Sequence, residues 1–142
     1  MKKMRNSKPV LLVEDDSVDA MTVKRAFKDL NIANPLVHTL NGEEALEYLK
    51  SEENKKPCII LLDLNMPRMN GIEFMQVIKV DDKLKKIPIV VLTTSQEERD
   101  KVESFGLGVA GYMLKSVDYK EFVEIVRTIS LYWTVSELPD GE

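Results

Sequence analysis

The chain has 142 residues, 44% hydrophobic and 31% charged, the proportions of one globular domain, which excludes a disordered, collagen-like or disulfide-framework chain. Twenty Lys and Arg against 24 Asp and Glu leave a net charge of −4, so the basic footprint of a nucleic-acid binder is missing. Cys58 is the single cysteine and no apolar run reaches the length of a signal-peptide core or membrane span, so a cytoplasmic protein with no membrane contact is expected.

The first apolar run, Val10 to Val13, is continuous, as in strands covered on both faces of a parallel sheet. Glu14, Asp15 and Asp16 follow it. Asp16, with Asp19 three residues on, is expected to cap a helix carried by Ala20, Val23, Phe27 and Leu30, and not to bind metal. Leu36 to Leu40 reads as an edge strand; its His38 has no carboxylate or cysteine motif around it and is expected to be packed or solvated. Asn41 and Glu44 then open a helix bearing Ala45 and Leu49. The charged segment Lys50 to Pro57 reads as a solvated connector.

Cys58 is expected to begin the central strand Ile59-Ile60-Leu61-Leu62 as a buried packing residue, and Asp63 ends that strand. Asn70 and Glu73 open a helix with Ile72, Met75 and Ile78, and a second charged connector runs from Val80 to Lys86. Ile89-Val90-Val91-Leu92 is the third continuous run and leads to Thr93. Ser95 and Glu98 open the next helix. Val109 to Leu114, with Gly111 inside it, reads as the other edge strand, with Lys115 at its end. The last helix, Asp118 to Trp133, starts with Asp118 and Glu121 and carries Phe122, Ile125, Val126 and Ile129. The seven methionines read as core and loop filler.

Five strands alternating with five helices predict an α/β fold built from right-handed βαβ units. With the first, third and fourth strands central, the order is 2-1-3-4-5, a flavodoxin-like doubly wound sheet whose ligands sit at the carboxyl ends of the first and third strands. Glu14, Asp15 and Asp63 converge there. Clustered carboxylates repel one another unless a cation compensates, and a small open cluster suits Mg²⁺. Thr93 and Lys115, at neighbouring strand ends, complement phosphoryl oxygens, and an Asp carboxylate can accept a phosphoryl group as an acyl phosphate. No G-x-x-x-x-G-K-[ST] loop occurs, so nucleotide hydrolysis has no support.

Val13-Glu14-Asp15-Asp16, Leu62-Asp63-Leu64-Asn65-Met66-Pro67-Arg68-Met69-Asn70-Gly71, Val91-Leu92-Thr93-Thr94-Ser95 and Gly111-Tyr112-Met113-Leu114-Lys115 together resemble the signature set of response-regulator receiver domains, over roughly Lys8 to Ser130. Lys115-Ser116 and the tail with Leu131, Tyr132, Trp133, Leu138 and Pro139 further resemble the small stand-alone regulators that partner bacterial phytochrome-type histidine kinases. The resemblance implies a non-enzymatic phosphoacceptor: Asp63 takes the phosphoryl group from a kinase phosphohistidine. It implies that Asp15, Asp63 and the backbone carbonyl of Asn65 hold Mg²⁺, with Glu14 acting through a metal-bound water. Thr93 would bond a phosphoryl oxygen, Lys115 would pair with the phosphate, and Tyr112 would be the aromatic switch that follows Thr93. The side chains of Asn65 and Ser95 would flank the phosphate.

Two positions depart from the family. Glu14 replaces the commoner Asp, and Ser116 stands where most members have a proline after a cis bond. A non-proline cis bond costs roughly 2.5–4 kcal/mol, which leaves the Lys115-Ser116 bond open between cis and trans.

Residues 1–142 are expected to form a single receiver domain, with a core at about 8–130 and an extended C-terminal helix and tail at 131–142. Leu131, Tyr132 and Trp133 suggest a partner surface, and a homodimer through this helix and the neighbouring edge strand is expected. Output would pass through a surface of this domain to a separate downstream protein. Two alternatives remain at this stage. A phosphohydrolase of the haloacid-dehalogenase type also phosphorylates a strand-end Asp, although it wants a second Asp where Asn65 stands. The other is a receiver-like interaction module that works without phosphorylation.

Overall fold

The computed structural model describes residues 8–115 and 117–135, and of residues 132–135 the backbone alone. Alternating strands and helices run in the order β1 (Val10–Val13), α1 (Ser17–Asp29), β2 (Leu36–Thr39), α2 (Gly42–Lys50), β3 (Ile59–Asp63), α3 (Gly71–Lys79), β4 (Ile89–Thr93), α4 (Gln96–Ser104), β5 (Gly111–Leu114) and α5 (Tyr119–Val135). All strands pair in parallel in the order β2-β1-β3-β4-β5, as expected from the three continuous apolar runs.

Alternation along each strand divides the core in two. Val10, Leu12, Ile59, Leu61, Val90, Leu92 and Met113 face α1 and α5, where they meet Val23, Phe27, Phe122 and Val126. Leu11, Val13, Ile60, Leu62, Val91 and Tyr112 face the other way, onto Leu49 of α2, Phe74 and Ile78 of α3 and Val102 of α4. A period-2 strand with both faces covered has no polar positions, which is why the central runs are unbroken. The same parity sends Asp63 and Lys115 toward α1 and α5, and Thr93 and Tyr112 toward α4.

Several local expectations need correction. β2 stops at Thr39, because the Leu40 N–H is taken by Glu44 Oε1 at 2.9 Å and Asn41 caps α2. β5 starts at Gly111, two residues later than expected, after a turn that places Gly106 and Gly108 at φ of 62° and 71°. The reciprocal capping box forms at Asn70 and Glu73, but at Ser95 the acid reaches one residue further back, with Glu98 Oε1 accepting from Thr94 N. Cys58 precedes β3 and is half-buried, with Sγ 3.8 Å from the Lys8 carbonyl. The connector after α3 is not wholly solvated: Leu84 is 2% exposed and belongs to the core cluster that includes Leu49 and Ile78. The methionines divide between core and surface, with Met75 and Met113 buried and Met21 exposed.

α5 is the longest helix of the described chain and starts one residue after Asp118, whose side chain accepts from Glu121 N. The Lys115-Ser116 bond, the side chains of Tyr132 and Trp133, and the tail beyond 135 lie outside the described residues.

Candidate functional site

The parallel sheet places four of the predicted side chains at its carboxyl edge. Glu14 follows β1 and is fully buried, Asp63 ends β3 at 4% exposed, and Asp15 is exposed beside them. Ligand oxygens of these three carboxylates lie within 4.8 Å of one another. Lys115 is carried there by the continued β4–β5 ladder, its N–H donating to the Thr93 carbonyl at 2.7 Å. Its ammonium donates to Asp63 Oδ1 at 3.1 Å and to Glu14 Oε1 at 3.2 Å.

Packing so many acids together has an electrostatic cost. Burial, then the neighbouring Asp63 charge, push the Glu14 carboxyl up to about 7, and Lys115 only partly offsets them. Burial likewise raises Asp63 above its ordinary value, against the pull of Lys115 and the Asn65 backbone N–H. Lys115 shows the converse. Burial opposes its charge, but hydrogen bonding to Asp19 and the attraction of Asp63 and Glu14 carry it above the usual lysine range.

A divalent cation fits this donor set. Three all-oxygen, hard ligands converge, their mutual repulsion is uncompensated beyond one ammonium, and Asp15 keeps the cluster open to solvent. Glu14, Asp15 and Asp63 are the side chains that could hold it.

The remaining predicted residues are arranged less directly. Thr93 ends β4 at 1% exposed, and its hydroxyl has no hydrogen-bond partner among the described residues. The Tyr112 ring lies half-buried on the same side of the sheet, under the Arg99 guanidinium at 4.4 Å. Asn65 is exposed and its amide donates to Glu98 Oε2, while the Ser95 hydroxyl is engaged as the α4 N-cap, accepting from Glu98 N. Asp16 caps α1 through Val18 N and Asp19 N, as expected from its position.

Two contacts had not been anticipated. His38 Nε2 lies 2.7 Å from the Glu14 carbonyl, bracing the acidic loop from β2. Asp19 does not return to its N-cap; its Oδ2 stands 2.7 Å from Lys115 Nζ. An acid in the first turn of a helix that enters from this edge of the sheet was the available signal for the second.

Comparison with known proteins agrees with this geometry. The profile described as the response regulator receiver domain matches residues 10–127. The chain is 38% identical over 130 residues to the response regulator Rcp1 of Synechocystis sp., covering 89% of this chain and 88% of that protein. Among solved structures it is similar to the Mn²⁺-bound form of Rcp1, with TM-score 0.78 and 37% identity over 91% of this chain and 96% of the other. It is also similar to the phosphorylated cyanobacterial phytochrome response regulator RcpA, with TM-score 0.81 and 36% identity over 93% and 98% of the two chains.

Proposed function

The chain belongs to the response-regulator receiver domain family, whose work is phosphorylation-based two-component signalling, and from that premise we propose that Asp63 is its phosphoacceptor, served by a Mg²⁺-dependent transfer from a sensor histidine kinase. The observation that carries the reading is the convergence of Lys115 and the carboxylates of Glu14 and Asp15 on the Asp63 carboxylate at the end of β3. As an Asp63 oxygen bonds to phosphorus, the phosphorus–nitrogen bond of the phosphohistidine breaks and its electron pair returns to the imidazole. When bound, Mg²⁺ would neutralise charge on the transferring group. Glu14, Asp15, Asp63 and the Asn65 carbonyl are the groups we assign to it.

Lys115 offers an ammonium to the phosphoryl oxygens, and Thr93 offers the hydroxyl that finds no partner among the described residues. Drawing Thr93 toward the phosphoryl group opens room on the α4 side, into which Tyr112 moves, and the α4–β5–α5 surface changes. Asn65 and Ser95 flank the site, and both must loosen their contacts with Glu98 to approach the phosphate.

The likeness to the phytochrome response regulator RcpA supports a phytochrome-type kinase as the partner, and we place the protein in the cytoplasm. Among the described residues no helix is long and apolar enough to cross a membrane. Residues 1–142 act in this reading as one receiver domain that signals to a separate protein. Exposed Leu114 on β5 and Leu131 on α5 support self-association through that edge and helix.

The direct test is incubation with Mg²⁺ and either acetyl phosphate or a phosphorylated phytochrome-type kinase, followed by intact-mass measurement. One phosphoryl group is expected on the wild type and none on Asp63→Asn; equal labelling of the variant would overturn the assignment. Sedimentation showing a monomer at high micromolar concentration, phosphorylated or not, would remove the dimer.

A further inference from the structure

Lys115 carries three N–H donors, and each has an acid within reach: Glu14 at 3.2 Å, Asp63 at 3.1 Å and Asp19 at 2.7 Å. Two of these acids belong to the cluster that fits a cation. The third belongs to the first turn of α1 and makes the shortest of the three contacts. Asp19 is available because the backbone N–H of Asp16, to which an acid at this helix position ordinarily returns, is already taken by Glu14 Oε2 at 3.2 Å. Strand parity directs Lys115 to the face that α1 covers, so the pair follows from the fold.

We propose that Asp19 is a positioning residue for Lys115, a metal-independent anchor that keeps the ammonium at the site when a divalent cation occupies Glu14, Asp15 and Asp63. The proposal rests on the reading of Asp63 as phosphoacceptor and Mg²⁺ ligand. A cation on those carboxylates weakens their hold on the ammonium and repels it directly. Lys115 is only 15% exposed, so this repulsion is poorly screened. Asp19 is 39% exposed and outside the cluster, and its charge stays unneutralised.

In the resting protein the same anchor shares the lysine among three acids. Without Asp19 the ammonium has Glu14 and Asp63 alone, holds them harder, and must be displaced from both by an entering cation. The loss of one negative charge near the site adds a smaller effect in the same direction, which the Lys115→Met background measures by itself. Removing Asp19 therefore weakens cation binding.

Calorimetric titration of the full chain with Mg²⁺ tests this, using wild type, Asp19→Asn, Asp19→Glu, Lys115→Met and the double variant Asp19→Asn/Lys115→Met, with Asp63→Asn as reference. Asp19→Asn is expected to raise the Mg²⁺ dissociation constant roughly three- to tenfold. Asp19→Glu should restore most of the affinity. In the Lys115→Met background the same Asp19→Asn change should alter the constant by less than about twofold, because the anchor has nothing to hold. An unchanged constant in Asp19→Asn, or an equal loss in both backgrounds, overturns the proposal and leaves the phosphoacceptor reading intact. Wild-type binding that is absent, or that survives Asp63→Asn unaltered, overturns the metal-site reading and the anchor with it.

Discussion

The side-chain amide of Asn65 donates to Glu98 Oε2 at 2.9 Å, so the loop after β3 is latched to the first turn of α4. The other carboxylate oxygen of Glu98 accepts from Thr94 N at 2.9 Å. Burial raises the Glu98 carboxyl, but the Thr94 N–H, the Asn65 amide and the Lys115 charge outweigh it and hold the group below the usual range. Glu98→Ala removes both bonds and is expected to cost about 1–2 kcal/mol. Urea unfolding should show a lower midpoint with an unchanged slope; an unchanged midpoint would mean that the latch contributes nothing to the fold.

The raised Glu14 carboxyl makes the stability of the metal-free protein depend on pH. Its folded value of about 7 stands above its ordinary 4.5, so the fold is supported by the protonated form. That support is whole below about pH 4.5 and is lost as pH rises through about 7. The loss is on the order of 3 kcal/mol. A bound cation favours the ionised carboxylate and offsets it, so Mg²⁺ should raise the melting temperature more at about pH 8 than at about pH 5.5. Thermal unfolding with Mg²⁺ or a chelator at both pH values checks this, and Glu14→Gln should flatten the chelator curve. Equal stabilisation by Mg²⁺ at the two pH values would contradict it.

Two glycines that open helices differ in what a side chain would strike. A Cβ on Gly71 would come within 2.7 Å of the Asp63 carbonyl oxygen and 2.8 Å of Leu64 Cα, backbone atoms of the proposed phosphoacceptor and of the residue after it. A Cβ on Gly42 would meet only side-chain atoms of Met69, Cγ at 2.8 Å, Sδ at 2.9 Å and Cβ at 3.1 Å, which rotation about the methionine torsions can relieve. Gly71→Ala should therefore cost about 2 kcal/mol or more and impair phosphorylation, while Gly42→Ala costs under about 1 kcal/mol. Parallel urea melts and intact-mass labelling would separate them, and equal effects would refute the distinction.

The residues that read most clearly in the sequence are those whose environment repeats along the chain. Val10 to Val13, Ile59 to Leu62 and Ile89 to Leu92 are buried on both faces, so every residue in them obeys one rule. The strand ends then bring Asp63, Glu14 and Lys115 together almost without further information. Contacts set by how a helix is rotated against the sheet are different. The Asp19–Lys115 pair depends on the docking of α1, and the Asn65–Glu98 bond joins residues 33 apart through two loops. Leu84 is a lone apolar residue in a charged segment and carries no period, so its burial is visible only in the assembled fold. Val109 and Ala110 are as apolar as a strand but precede β5, following directly on the turn of the two left-handed glycines, and only the Ala110 N–H reaches β4, at the Ile89 carbonyl.

Thr93 carries the last prediction. Its hydroxyl is buried without a hydrogen-bond partner among the described residues, and such a group costs about 1–3 kcal/mol relative to a satisfied one. Valine keeps the shape and replaces the hydroxyl by a methyl that suits a position only 1% exposed. Thr93→Val is thus expected to stabilise the unphosphorylated protein by about 1 kcal/mol. It should also weaken the phosphorylated state, because in the proposed switch the phosphoryl oxygen loses its hydroxyl donor and Tyr112 loses the movement that makes room for it. Functional sites are where a fold tolerates such unpaired groups, so stability and switching should change in opposite directions. Urea unfolding with and without acetyl phosphate and Mg²⁺ measures both: the variant should start higher and gain less on phosphorylation. If Thr93→Val is instead less stable at rest, the hydroxyl is already satisfied and is not held in reserve for the phosphate.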